Sequence, residues 1–116
     1  MPEIPICNWE GASGTRYPFH IYVRHPDVEN GQDGNYIYAR RNAENRWVPV
    51  YIGQGDLSVR CTKNHHQIEC IDSKKATHVH LRLESREAER LAVEKDLLGR
   101  YTNAYAPSGC NIKKGG

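Results

Sequence analysis

The sequence predicts an α/β domain, a small sheet flanked by helices, and three observations carry that prediction. Residues 35–41 and 47–53 are rich in β-forming side chains and are separated by the polar stretch 42–46, the pattern of an antiparallel hairpin. Residues 77–83 alternate strictly, with Val79, Leu81 and Leu83 on one side and His78, His80 and Arg82 on the other, as in a strand with one wet face. Residues 85–101 read as the clearest helix. Ala88, Leu91, Ala92 and Leu98 make its apolar stripe, Ser85 can cap its start, and Glu87 suits the first turn of the helix dipole.

The remaining elements follow in order. Pro2, Pro5, Gly11 and Gly14 make residues 1–16 an irregular arm that Trp9 pins to the core. Residues 17–23 alternate as a short strand, with Pro18 marking an edge or a strand start. Residues 25–34 are rich in turn formers, and 56–64 are expected to form a short helix with Asp56 as N-cap and Leu57 facing inward. The chain from Asn103 onward, with Pro107 and Gly109, is irregular. The expected organisation is an N-terminal arm (1–16), one domain (17–111) and a tail (112–116).

With 116 residues there is room for one domain and one modest core. Hydrophobic residues at 38% and charged residues at 26% favour a globular chain over a disordered one. The apolar runs are too short for a transmembrane helix, and residues 1–10 lack the basic start and apolar centre of a signal peptide, so a cytoplasmic protein is the default expectation. In that compartment Cys7, Cys61, Cys70 and Cys110, with no C-x-x-C pair, are expected to be reduced and unpaired. A zinc-stabilised interaction domain is the sharper alternative, since Cys61 and Cys70 flank His65 and His66. Only His78-x-His80 approaches the paired spacing of structural zinc ligands. The net charge of +2 says little, but Arg60, Lys63, Lys74, Lys75 and Arg82 cluster within 57–82 against Glu69 and Asp72. Such clustering can draw a polyanion to one face, and is also what an ordinary solvated surface carries.

Several catalytic signatures are absent: no G-x-x-x-x-G-K-[ST] loop, no H-E-x-x-H helix, no G-x-S-x-G elbow. What remains is Gly34-Asn35-Tyr36 on one hairpin strand, Tyr51-Ile52-Gly53 on the next, then Arg60, His65 and Glu94. The ordered set GNYIYARR, VYIGQGDLSVR, KNHH, EAERLAVEKDLLGRY and a late Asn111 resembles the GIY-YIG nuclease superfamily across 17–111. The resemblance implies a three-stranded antiparallel sheet flanked by helices, with an N-terminal extension and the site on the sheet face. It also implies a metal-dependent endonuclease that hydrolyses DNA phosphodiesters, with Tyr36, Tyr51, Arg60, His65 and Glu94 in the site and Mg2+ or Mn2+ on Glu94. Two departures stand out: Asn35 occupies a position where the family has an aliphatic residue, and the step from Tyr51 to Arg60 is short. Tyr38, on the same strand face as Tyr36, is an alternative reactive tyrosine, as His66 is to His65.

The residue types suit that chemistry. A hard cation on a carboxylate neutralises a phosphodiester, and a guanidinium adds fixed charge against the transition state. A tyrosine acts as base only where cations favour its phenolate, and a histidine relays a proton. Each also has a plain reading: Tyr36 and Tyr51 as sheet packing, Arg60 as helix surface, the histidines as solvated loop, Glu94 as a partner of Arg90. A nucleic-acid-binding module of the same fold with a decayed site is the rival function, and Asn35 is the feature that suggests it.

Overall fold

The computed structural model describes residues 3–113, so residues 1–2 of the expected arm and 114–116 of the expected tail lie outside the described residues. Its elements in chain order are β1 (Ile6–Glu10), β2 (Arg16–Val23), β3 (Asp33–Arg41), β4 (Trp47–Asp56), α1 (Leu57–Arg60), α2 (Ile68–Ser73), β5 (His78–Leu83), α3 (Glu87–Arg100) and a 3-10 turn (Thr102–Ala104).

The hairpin of β3 and β4 forms around a turn built by Asn42, whose side chain accepts from the amides of Glu44 and Arg46 while Asn45 takes a positive φ. β5 pairs antiparallel with the other side of β3, β2 with β5, and β1 with β2, giving one sheet in the order β1-β2-β5-β3-β4. The three-stranded sheet implied by the resemblance is therefore corrected to five strands. The cause is non-local. β2 pairs along β5, and β1, inside what reads as an irregular arm, pairs with β2 and drives Trp9 into the core beside Phe19. Pro18 is tolerated because β5 reaches β2 only from His20 onward, leaving the strand a single neighbour there.

The sheet buries both faces. One carries Tyr36, Tyr38, Val79 and Leu81 against Leu57 of α1 and Ile71 of α2, and the other carries Trp9, Phe19, Ile37 and Ile52 against Val93 and Leu97 of α3. The wet face expected on β5 is thus wrong for His80, which is fully buried with its Nδ1 accepting from the Trp9 indole N–H at 2.9 Å. α1 starts where expected: Asp56 caps it by accepting from the Ser58 amide, and Leu57 is fully buried. It ends at Arg60, well short of 64, and α2 follows where no helix is expected.

α3 departs from the sequence reading in two ways. Its N-cap is Arg86, with no side-chain cap bond, rather than Ser85. Its buried residues are Arg90, Val93 and Leu97, whereas Ala88, Leu91 and Ala92 are exposed and Leu98 is half-buried. Arg90 can be inside because its guanidinium donates to Gln54 Oε1 and to the carbonyls of Glu84 and Ser85. That turns Leu91 away from the core and leaves Leu98 at its edge.

The cysteines are corrected too. Cys70 and Cys110 form a disulfide across 40 positions, and Cys7 and Cys61 are free. The bridge ties the C-terminal segment to α2. That segment seals the open edge of β4: Cys110 N–H donates to Val50 O, and the Asn111 carboxamide bonds both the amide and the carbonyl of Ile52, as a neighbouring strand would. Among the described residues no helix is long and apolar enough to cross a membrane.

Candidate active site

The edge of β4 opens into a cleft of about 950 Å³. Its floor is Tyr36, Tyr51 and Gly53 from the hairpin. Arg60 from the end of α1 and His66 form one side, Glu94 and Lys95 of α3 another, and Tyr105 to Lys113 of the C-terminal segment the last. The rotated stripe explains the apolar part of the lining. Leu91, 46% exposed, and Leu98 flank Glu94 on the cleft side of α3.

Two glycines of the sequence triplets have steric reasons. A Cβ on Gly53 would lie 2.5 Å from the Tyr36 phenol carbon and oxygen, so glycine there gives Tyr36 its place across the strand. A Cβ on Gly34 would fall on the Arg82 carbonyl of β5.

Tyr36 is only 1% exposed and stacks on Tyr51 at 6.0 Å between ring centroids. Its hydroxyl lies 2.8 Å from His65 Nε2. The tautomer follows from the other nitrogen: His65 Nδ1 accepts from the Gln67 backbone N–H at 2.9 Å, so the ring proton sits on Nε2 and is donated to Tyr36. Tyr36 keeps its own hydroxyl proton and, stacked on Tyr51, joins His65 to the cleft. Burial, then the nearby His66 and Arg60, depress the His65 pKa to about 4, so this imidazole is neutral near pH 7.

The two phenols differ. Burial lifts the pKa of Tyr36 far above the ordinary tyrosine range. Tyr51, nearer the solvent, is raised by burial and then by the Glu94 carboxylate, and is pulled back by Arg60. Tyr51 therefore feels the charges of both Glu94 and Arg60.

The structure thus brings Tyr36, Tyr51, Arg60 and Glu94 to one cleft and bonds His65 behind them. Tyr38 does not line the cleft; it is fully buried and bonded to His25 at 3.0 Å. His66 is exposed at the mouth, 3.4 Å from the Tyr51 hydroxyl. The sequence reading missed Gln67, whose amide sets the His65 tautomer, and Lys95 and Lys113, which add cations to the walls. Only the adjacency of Lys95 to Glu94 hinted at either. Of the expected basic cluster, Arg82 is spent on Asn35 and Glu84, and Lys74 on the Pro107 carbonyl.

Among the described residues no group of three or more His, Cys, Asp or Glu is arranged around a common metal position. A zinc site wants three or four protein ligands, which this donor set does not supply. A hard divalent cation is different, because it binds through one or two carboxylates and takes its remaining oxygens from water and phosphate. The half-buried Glu94 on the wall of a cleft open to solvent fits that pattern. No protein-family model, curated protein or solved structure matches the chain.

Proposed function

We propose that the protein is a metal-dependent endonuclease that hydrolyses DNA phosphodiesters in the cleft beside β4. The observation that carries this reading is the convergence of Tyr36, Tyr51, Arg60 and Glu94, distant in sequence, on a single cleft with His65 bonded to Tyr36. Arg60 binds the phosphate through its planar guanidinium, with Lys95 and Lys113 holding the flanking backbone. Glu94 would hold Mg2+ or Mn2+; when bound, such a cation neutralises charge at the phosphoryl and leaving oxygens and offsets the Glu94 charge felt by Tyr51. Tyr51 is the phenol best placed to take a proton from the attacking water: burial and Glu94 raise its pKa, Arg60 opposes that rise, and a cation on Glu94 would cancel part of it. His65 holds the Tyr36 hydroxyl, and the Tyr36 ring packs against Tyr51 and keeps the base oriented.

The test is plasmid cleavage with magnesium or manganese, wild type beside Glu94→Ala. The wild type is expected to nick or linearise the plasmid, and the variant to lose cutting while keeping its circular dichroism spectrum. Wild-type cutting by Glu94→Ala removes Glu94 from the chemistry. A wild type that binds DNA without cutting under either metal replaces the nuclease with the binding-module reading.

A further inference from the structure

Asn35 stands at the departure from the family pattern, and it is a fully buried polar residue on the face of β3 opposite Tyr36. Its carboxamide is used at both ends. Nδ2 donates to the backbone carbonyl of Arg90 at 3.0 Å, and Oδ1 accepts from Arg82 Nη1 at 3.0 Å. In an α-helix the carbonyl of residue 90 is also the acceptor for the amide of residue 94. Asn35 therefore grips the carbonyl that closes the turn bearing Glu94. The guanidinium of Arg90 ties the same turn to Gln54 on β4, the cross-strand neighbour of Asn35, and to the carbonyls of Glu84 and Ser85. α3 has no side-chain bond at its N-cap; these bonds hold its Arg90–Glu94 turn, while Asp96, bonded to Ser13 and Tyr17, holds the helix further along.

We propose that Asn35 is a positioning residue: it locks the Arg90–Glu94 turn of α3 to β3 and so holds the Glu94 carboxylate opposite Tyr51 and Arg60. The catalytic consequence rests on the nuclease reading above, whereas the lock itself does not. A carboxamide is the side chain the place requires, because one end must donate to a carbonyl and the other must accept from a guanidinium. Leucine satisfies neither. Aspartate keeps the acceptor for Arg82 and loses the donor to Arg90, which isolates the bond to α3. A misplacement on the order of 1 Å at a reacting centre costs about a hundredfold in rate.

The test uses Asn35→Asp and Asn35→Leu with two measurements. In plasmid cleavage at saturating metal, kcat is expected to fall about 10- to 100-fold in Asn35→Asp while KM for DNA stays within about twofold, because the phosphate-binding cations are untouched. In amide exchange without DNA or metal, the Glu94 amide is expected to exchange faster in both variants, while amides of β4 keep their protection. Wild-type kcat in Asn35→Asp overturns the proposal, as does a fall in rate that only tracks the loss of folded protein. An unchanged Glu94 amide overturns it whether or not the wild type cuts DNA. Faster exchange at Glu94 in the variants than in a wild type that itself fails to cut supports the lock and defeats the nuclease reading instead. If Asn35→Leu does not fold, Asn35→Asp decides alone.

Discussion

The two faces of the sheet each bury a neutral histidine, and each histidine accepts at Nδ1, yet the two sites are unlike. On the cleft face His65 takes its Nδ1 bond from the Gln67 amide and donates from Nε2 to Tyr36, whose ring stacks on a second phenol in the cleft. On the opposite face His80 takes its bond from Trp9, and its Nε2 has no hydrogen-bond partner among the described residues. Its ring meets Trp47 edge to face at 4.6 Å, with Arg41 over the same indole. One histidine starts a chain that reaches a cleft, and the other ends in a sealed aromatic box. A buried imidazole is therefore uninformative by itself; what its second nitrogen reaches decides its use.

The strongest way to break this contrast is to cut the partner of each histidine. Tyr36→Phe removes the hydroxyl that holds His65 behind Tyr51, and kcat for plasmid cleavage is expected to fall by about two orders of magnitude. Trp9→Phe removes the bond to His80, and kcat is expected to stay within a few-fold while stability drops by about 1–3 kcal/mol for the stranded imidazole nitrogen. Equal losses of rate in the two variants would erase the distinction, and full activity in Tyr36→Phe would take the phenol out of the chemistry.

The same contrast explains what could be read from the sequence. β3, β4 and β5 announce themselves because β-forming composition and, in β5, alternation are local signals, and Tyr36, Tyr51, Arg60 and Glu94 stand in an ordered set of motifs, whereas Gln67, Lys95 and Lys113 of the cleft belong to none. β1 was not legible: the Ile6–Glu10 stretch lies between Pro5 and Gly11 and becomes a strand only because β2 is there to pair with it. His80 read as wet because alternation assigns a polar residue to solvent, whereas Trp9 and Trp47 cover it from distant positions. On α3 the pattern favoured Leu91 over Arg90 for the core, since no periodicity encodes the carbonyls and amide that satisfy a buried guanidinium. The Cys70–Cys110 bridge joins positions with no shared motif.

That bridge gives the second test, because it acts on the cleft half alone. It clamps the segment whose Asn111 completes the β4 edge and whose Tyr105 and Lys113 wall the cleft. Both tryptophans lie on the other side, against His80. Cys70→Ser, or reduction by a dithiol, is expected to cost about 2–4 kcal/mol in urea unfolding through the freed loop entropy. Below the unfolding transition the tryptophan emission is expected to match the oxidised protein. A reduced protein of unchanged stability, or an early shift in tryptophan emission, would show that the two halves are not separable in this way.

The smallest effect separates the two histidines by pH. Burial, with His78 and Arg41 adding to it, lowers the His80 pKa to about 3, and His65 lies at about 4. In the unfolded chain both return to about 6.5. As pH falls below that value the unfolded state takes up protons that the folded state refuses, so stability drops with pH; above it the contribution is complete and flat. His65 stops contributing to the slope near pH 4 and His80 near pH 3, where the folded forms also protonate. By pH 5 each histidine should account for a loss of about 2 kcal/mol relative to pH 7. His80→Phe keeps a ring against Trp47 and removes one of the two titrations. Its urea midpoint is expected to decline between pH 7 and pH 5 with a shallower slope than the wild type, whatever its absolute stability. An equal slope would mean that His80 is already charged in the folded protein, with a proton on Nδ1 as well as Nε2, and that Nδ1 therefore does not accept from Trp9.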